Sequence, residues 1–358
     1  MSITNDLRGI LYANGNFLAV GEAGNVQAGI AWLPYNAGTT QLSYVCYGNG
    51  TFVAVGAQGA ISTSTNGLDW SQRESGVTNN LNAVCYGTNH FVAVGDGTIL
   101  NSIDGSRWTL GNTSATNNLL AIAYGNGVYV GLGNCICANA IGAPIPTGFA
   151  LQSQDGINWN GPHLLPITQG FGVPVAKGAL AFATNVFVVF TTPDGPVLTS
   201  SDGINWTNQG AANLTGVVFG GPMTYGESGY VSASGSSILR TSPDDVNWVW
   251  RPIENLTFSV AFGNGNYVLV CDGSVIRRAT PPQARAQPLL GGRVTGGGFE
   301  LSMTAQPWHT YALQRCPTLA NPVWSNVYTF TSTQAVTTFL DSTTTNQSAS
   351  IYRITSPD

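Results

Sequence analysis

Four acidic residues stand in short turns built around glycine: Glu22 before Ala23-Gly24, Asp96 before Gly97, Asp194 before Gly195 and Asp272 before Gly273. Carboxylates facing each other across a groove are the equipment of glycoside hydrolysis, about 5 Å apart for retention and about 6.5–9.5 Å for inversion. Glu22, Asp96 and Asp272 are therefore the candidate catalytic residues. Acids are also ordinary turn formers, because their side chains accept backbone N–H bonds, and that role competes with catalysis. Flat rings on which a sugar could stack are Tyr35, Phe149 and Phe171, with His163 and Asp194 as polar ligand contacts. A nucleophile elbow, Gly-x-Ser-x-Gly, has one near match in Gly226-Glu227-Ser228-Gly229-Tyr230, which fails at the last glycine. The chain has no His-Glu-x-x-His, P-loop or dinucleotide fingerprint. Cys135-Ile-Cys137 is a C-x-C, either half of a disulfide or a thiol pair. With three histidines in all, no metal and no cofactor are expected.

What must position these residues is a repeat. An apolar strand ends in an aromatic, and a second strand opens with another aromatic five residues later. The pairs are Tyr12/Phe17, Tyr47/Phe52, Tyr86/Phe91, Tyr124/Tyr129, Phe182/Phe187, Tyr225/Tyr230 and Phe262/Tyr267, which makes seven units. Their spacing brackets the roughly 40–45 residues of a four-stranded propeller blade. Each unit then runs through strand b, a glycine turn and strand c into Ser-x-Asp-Gly-x-x-Trp. That motif stands at Ser102–Trp108, Ser153–Trp159 and Ser200–Trp206, with Asn66 for Asp in Ser64–Trp70 and Asp245 for Gly in Ser242–Trp248. Asp-Gly between strands is a strong hairpin signal. In such a ring the b–c and d–a connections share one face, where Glu22, Asp96, Asp194 and Asp272 belong. Two long insertions, Gly133–Gly148 and Asn160–Gly178, reach the same face and carry Cys135, Cys137, His163, Phe171 and Lys177.

These turns resemble the Asp-boxes of sialidases, which read one residue longer. The whole repeat resembles the propellers of photosystem II assembly factors and of xyloglucan-cleaving glycoside hydrolases, over residues 8 to 280. The resemblance implies a seven-bladed propeller with its ligand at the channel mouth and the acidic turns on the opposite face. The arginine triad and Phe-Arg-Ile-Pro motif of true sialidases are missing.

Of 358 residues only 8% are charged, against about a quarter in an average domain. The net charge of −5 excludes a nucleic-acid surface. No apolar run is long enough to span a membrane. The expected fold is all-β: a propeller over residues 1–282 whose N-terminal segment Met1–Asp6 closes blade 7, a linker over 283–288, and a small β-sandwich over 289–358. The tail resembles ancillary β-domains of secreted bacterial proteins, which implies a secreted or cell-surface setting. The expected activity is polysaccharide cleavage by a monomer with a glycan ligand. The alternative is a non-catalytic propeller that binds a glycan or a protein, or serves as an assembly scaffold.

Overall fold

The computed structural model divides into two units, Met1–Pro281 and Pro282–Asp358. It describes residues 6–355 except 30–31, 113–117, 139–143, 167–173, 192–195, 212–220, 227–228, 234–237, 243, 245–247, 254–255, 280–289, 296–297, 305–309, 317–324, 332–335 and 342–350. The expected linker and Met1–Asn5 of the expected closing segment lie outside the described residues.

The first unit is a seven-bladed β-propeller. Blades 1 to 6 are antiparallel four-stranded sheets, and blade 7 has three strands among the described residues. The innermost strands are Leu7–Ala13, Leu42–Gly48, Leu81–Gly87, Leu119–Gly125, Val175–Ala183, Met223–Gly226 and Thr257–Gly263. Each touches the next, and the seventh touches the first, so the ring is closed.

All seven predicted aromatic pairs face each other across their hairpins, with ring centroids 4.6–4.8 Å apart. The glycine after the first aromatic has a steric cause. A Cβ on Gly48 would run into the ring of Tyr86 in the next blade, and the same holds for Gly87 with Tyr124, Gly125 with Phe182, Gly226 with Phe262 and Gly263 with Tyr12. The last of these is the ring closure itself. Apolar clusters fill the space between blades. One of them joins Ala261, Val268 and Val270 of blade 7 to Leu7, Ile10 and Ala19 of blade 1.

The Ser-x-Asp-Gly-x-x-Trp turns form as the motif predicts. In blade 3, Asp104 Oδ1 accepts the N–H groups of Ser106 (2.8 Å) and Arg107 (3.0 Å). Ser102 Oγ accepts that of Gly105, and the Trp108 indole donates to the Gly105 carbonyl. These are internal bonds of a c–d turn, on the face opposite the b–c turns.

The second unit contains two three-stranded antiparallel sheets. One is formed by Leu290–Thr295, Gly298–Thr304 and Val336–Asp341, the other by Ser325–Thr331, Thr310–Cys316 and Ile351–Thr355.

Candidate functional site

The mouth of the channel is shaped by one device used repeatedly. Near the start of the innermost strand the register slips, so one residue has no partner on strand b. The unpaired residue is Arg8 in blade 1, Ser43 in blade 2, Asn82 in blade 3, Leu120 in blade 4 and Phe258 in blade 7. Each stands four positions before the aromatic that ends its strand. Blade 5 makes a longer slip between Val175 and Leu180, and Lys177 lies within it. A bulge re-aims a side chain and kinks its strand. Here it also brings the carbonyl before the strand over the end of strand b. The N–H groups of Glu22, Ala57, Asp96, Asn134 and Asp272 donate to the carbonyls of Asp6, Gln41, Asn80, Asn118 and Leu256. Gly21, Gly56, Gly95 and Gly133 leave no room for a Cβ against those carbonyls, so in blades 1 to 4 the glycine at this point of strand b answers a close approach.

The acidic candidates are bound into this frame. Glu22 Oε1 accepts from Arg8 Nη2 at 2.6 Å, and the same nitrogen reaches Asp6 Oδ2 at 3.3 Å. Arg8 also lies 4.4 Å from the ring centroid of Phe258, the bulge residue of blade 7. Asp6 Oδ1 accepts the N–H of Gly273, the neighbour of Asp272, at 3.0 Å. Blades 7 and 1 thus meet through Asp6 and Arg8. Asp272 Oδ1 is buried without a hydrogen-bond partner. Asp96 holds both carboxylate oxygens against amides, Oδ2 from Asn80 and Oδ1 from Asn82, each at 3.0 Å. Asn82 continues to Asn118 Oδ1 and the Leu119 carbonyl. Asn134 brackets Val175, accepting from its N–H (2.8 Å) and donating to its carbonyl (2.9 Å). A chain of amide side chains therefore links blades 3, 4 and 5 along the mouth.

Lys177 makes no hydrogen bond or ion pair among the described residues. Its side chain reaches water yet stands among the walls of the mouth. The loss of surrounding solvent lowers its ammonium from 10.5 to about 8, with Arg8 adding to the fall and Asp96 opposing it.

Below the mouth the channel holds a cavity of about 330 Å³ lined by Leu11, Tyr44, Cys46, Cys85, Thr224 and Ala261 among others. Cys46, Cys85 and Cys271 are free thiols. Burial pushes the Cys46 and Cys85 thiols up, and Cys85 adds to the effect at Cys46, so both stay protonated and unreactive. Tyr44 is pushed to about 12 by burial and then by the two sulfurs. Cys135 is disulfide-bonded.

The remaining candidates are scattered. Phe149 corrects the expectation of a stacking surface: its ring is fully buried in the core shared by blades 3 and 4. Its register partner Gly133 explains this, because the ring lies over the glycine that a Cβ would block. Tyr35 sits half-buried on the outermost strand of blade 1 (Leu33–Asn36), packed on an apolar cluster. His163 lies on the outermost strand of blade 4 (Asn160–Leu164), opposite Ala150, with Nε2 buried and unpartnered. Phe171 and Asp194 lie outside the described residues. The insertion Gly133–Gly148 is strand on both sides, continuing Val128–Ala138 and Pro144–Ser153. Lys177, placed on this face by the sequence, does stand at the mouth; the residues that sequence reasoning passed over are Asp6, Arg8 and Asn82. For Arg8 and Asn82 the signal was available: they stand four residues before Tyr12 and Tyr86.

No family model matches the chain, and no curated protein matches its sequence. Solved structures do match in shape. YCF48 bound to D1 peptide aligns with TM-score 0.59 at 13% identity, covering 78% of this chain and 92% of that one. The WD40 propeller domain of Doa1 aligns at 0.56 and 15% identity, covering 78% and 94%. YCF48 from Cyanidioschyzon merolae aligns at 0.53 and 16% identity, covering 79% and 98%. At such identities the likeness speaks for architecture alone, and the architecture is that of a seven-bladed β-propeller.

Proposed function

We propose that the protein is a binding propeller that holds a segment of another protein at the mouth of its channel. The observation that carries this is the state of the mouth carboxylates. Glu22 is paired with Arg8, and each oxygen of Asp96 accepts from an asparagine amide, so both carboxylates are engaged by the protein's own frame. Catalytic carboxylates in glycosidases face each other across the bond they cleave, and one of them carries a raised pKa. The mouth offers instead a hydrogen-bonded set of amides, carboxylates and two cations, which suits recognition of backbone and side-chain polar groups. The likeness in fold to YCF48 bound to D1 peptide favours a peptide over a sugar. We also keep as proposals a small sandwich for the C-terminal unit and a secreted or cell-surface setting; the disulfide at Cys135 supports the latter.

The test is a pair of screens on the purified chain. One selects from displayed random peptides long enough to add as an extended strand. The other looks for new reducing ends on a panel of polysaccharides. Enriched peptides without reducing ends are expected. Release of reducing ends that is lost in Glu22→Gln would overturn the proposal.

A further inference from the structure

Blade 4 differs from its neighbours at one place. In the other blades where the end of strand b is described, the strand stops at or just beyond the residue opposite the start of strand a: Gly21, Gly56, Gly95 and Cys271. In blade 4 it passes the equivalent Gly133 and runs on through Asn134–Ala138, paired with Pro144–Gly148. Five extra residues project roughly 17 Å beyond the rim. This hairpin stands on the b–c side, the face of the mouth, and its root is tied to blade 5 through Asn134 and Val175.

The two edges of the hairpin are not alike. Along an antiparallel strand the N–H and C=O of one residue point to the same side, and alternate residues to opposite sides. Asn134 donates its N–H to the Asn118 carbonyl, on the side toward the channel. Ile136 and Ala138 share that parity, so their backbone groups face the same way. On the other strand, Gly148 accepts from the Leu165 N–H, on the outward side. Residues 146 and 144 share that parity, and both are proline. The outer edge therefore lacks two donors at the positions where a neighbouring strand would need them, a standard block against edge pairing. On the inner edge no proline stands, and the backbone groups of Ile136 and Ala138 make no hydrogen bond among the described residues. The Ile136 side chain is 71% exposed.

We propose that the inner edge of this hairpin is a docking edge, on which an extended, basic segment of a partner protein adds as a strand running along the hairpin to the channel mouth. The mouth gives the charge: Asp6, Glu22, Asp96 and Asp272 outnumber Arg8 and Lys177, so lysine or arginine side chains of the added strand meet an excess of carboxylate. The backbone of Ile136 and Ala138 supplies affinity, as in strand-addition domains, and the mouth supplies selectivity. The inference rests on the peptide-binding function above and names its register and charge.

Peptides selected from the display library are the probes. Against the variant Ile136→Pro/Ala138→Pro, which removes the two inward donors and leaves the 135 and 137 bonds to the partner strand, they should bind about tenfold more weakly or worse, as expected for two lost backbone hydrogen bonds. Ile136→Thr keeps the donor and should stay within about threefold, a loss below 1 kcal/mol. Methylating alternate backbone nitrogens of the best peptide tests the same bonds from the ligand side and needs no protein variant. The selected peptides should carry net positive charge. Equal binding to the proline variant and to both methylated registers would overturn this inference while leaving the peptide-binding function standing. A library with no enriched member would remove both. Concentration-dependent dimers abolished by the proline variant would make a second copy of the chain the occupant, and would also overturn it.

Discussion

Lys177 is the one lysine of the chain, so its side chain can be watched without assignment. In protein labelled with carbon-13 lysine, a single Cε signal should titrate near pH 8 rather than 10.5. The causes separate by mutation. Arg8→Gln removes a repulsive neighbour and should raise the midpoint, whereas Asp96→Asn removes an attractive one and should lower it. A midpoint near 10.5 would mean that Lys177 does not stand in the mouth. The linkage sign follows: the folded chain holds fewer protons between pH 8 and 10.5 than the unfolded chain, so this group makes stability rise with pH across that window. The turns on the opposite face give the same sign in a lower window, because there too the folded pKa is depressed. At Asp202 burial would raise the carboxyl, but bonds from Asn205, Ile204 and Ser200 outweigh it and hold the group at about 2. Its contribution is present above about pH 4, the unfolded value, and is lost as pH falls toward 2. Blade 2 already contains the neutral version, where Asn66 Oδ1 accepts the N–H groups of Leu68 and Asp69 at 2.9 Å. Asp202→Asn should therefore keep the fold and flatten the melting temperature between pH 4 and 2; an unchanged slope would show that the turn carboxylates do not govern acid stability.

The blade as an element depends on a glycine that sits under its neighbour's ring. Gly87→Ala places a methyl group against Tyr124, where both partners are held by the sheet. Overpacking of this kind costs about 1–3 kcal/mol, so the urea midpoint should fall at an unchanged slope. A stable Gly87→Ala would mean that blade spacing is softer than the stacked rings imply. This element was readable in advance because its punctuation is local: Tyr-Gly, an aromatic five residues on, and Asp-Gly before Trp are all decided within one hairpin. The site was not, and the reason is physical. Whether Arg8 points into the mouth depends on a slip of register between two strands, which no property of Arg8 reveals. Phe149 stands at the edge of an insertion, and nothing in the sequence shows that Gly133 lies opposite it and that its ring is buried there. The insertion itself contains prolines at alternate positions, which look like loop composition until Pro144 and Pro146 are seen to occupy the outward side of a strand.

For the molecule as a whole, the joint between blades 7 and 1 differs from every other joint, because no d–a connection crosses it within the described residues. It is held by the Tyr12 ring over Gly263, by Asp6 receiving the Gly273 N–H, by Arg8 over Phe258, and by a shared apolar cluster. Gly87→Ala and Gly263→Ala impose the same steric insult at chemically similar sites. Inside the ring, two blades joined by continuous chain are pushed apart and remain tethered. At the seam they are free to separate, and separation exposes the apolar flanks of two blades together with the edges of their strands. The two variants should therefore lose comparable stability, about 1–3 kcal/mol each, and differ in association. Gly263→Ala, and more strongly Gly263→Ala with Asp6→Ala, should form oligomers in light scattering as concentration rises, while Gly87→Ala stays at the size of the parent protein. If both remain at that size, the seam is as well tethered as any other joint. The added tether would then have to come from segments beyond the contacts named here, such as the expected N-terminal strand.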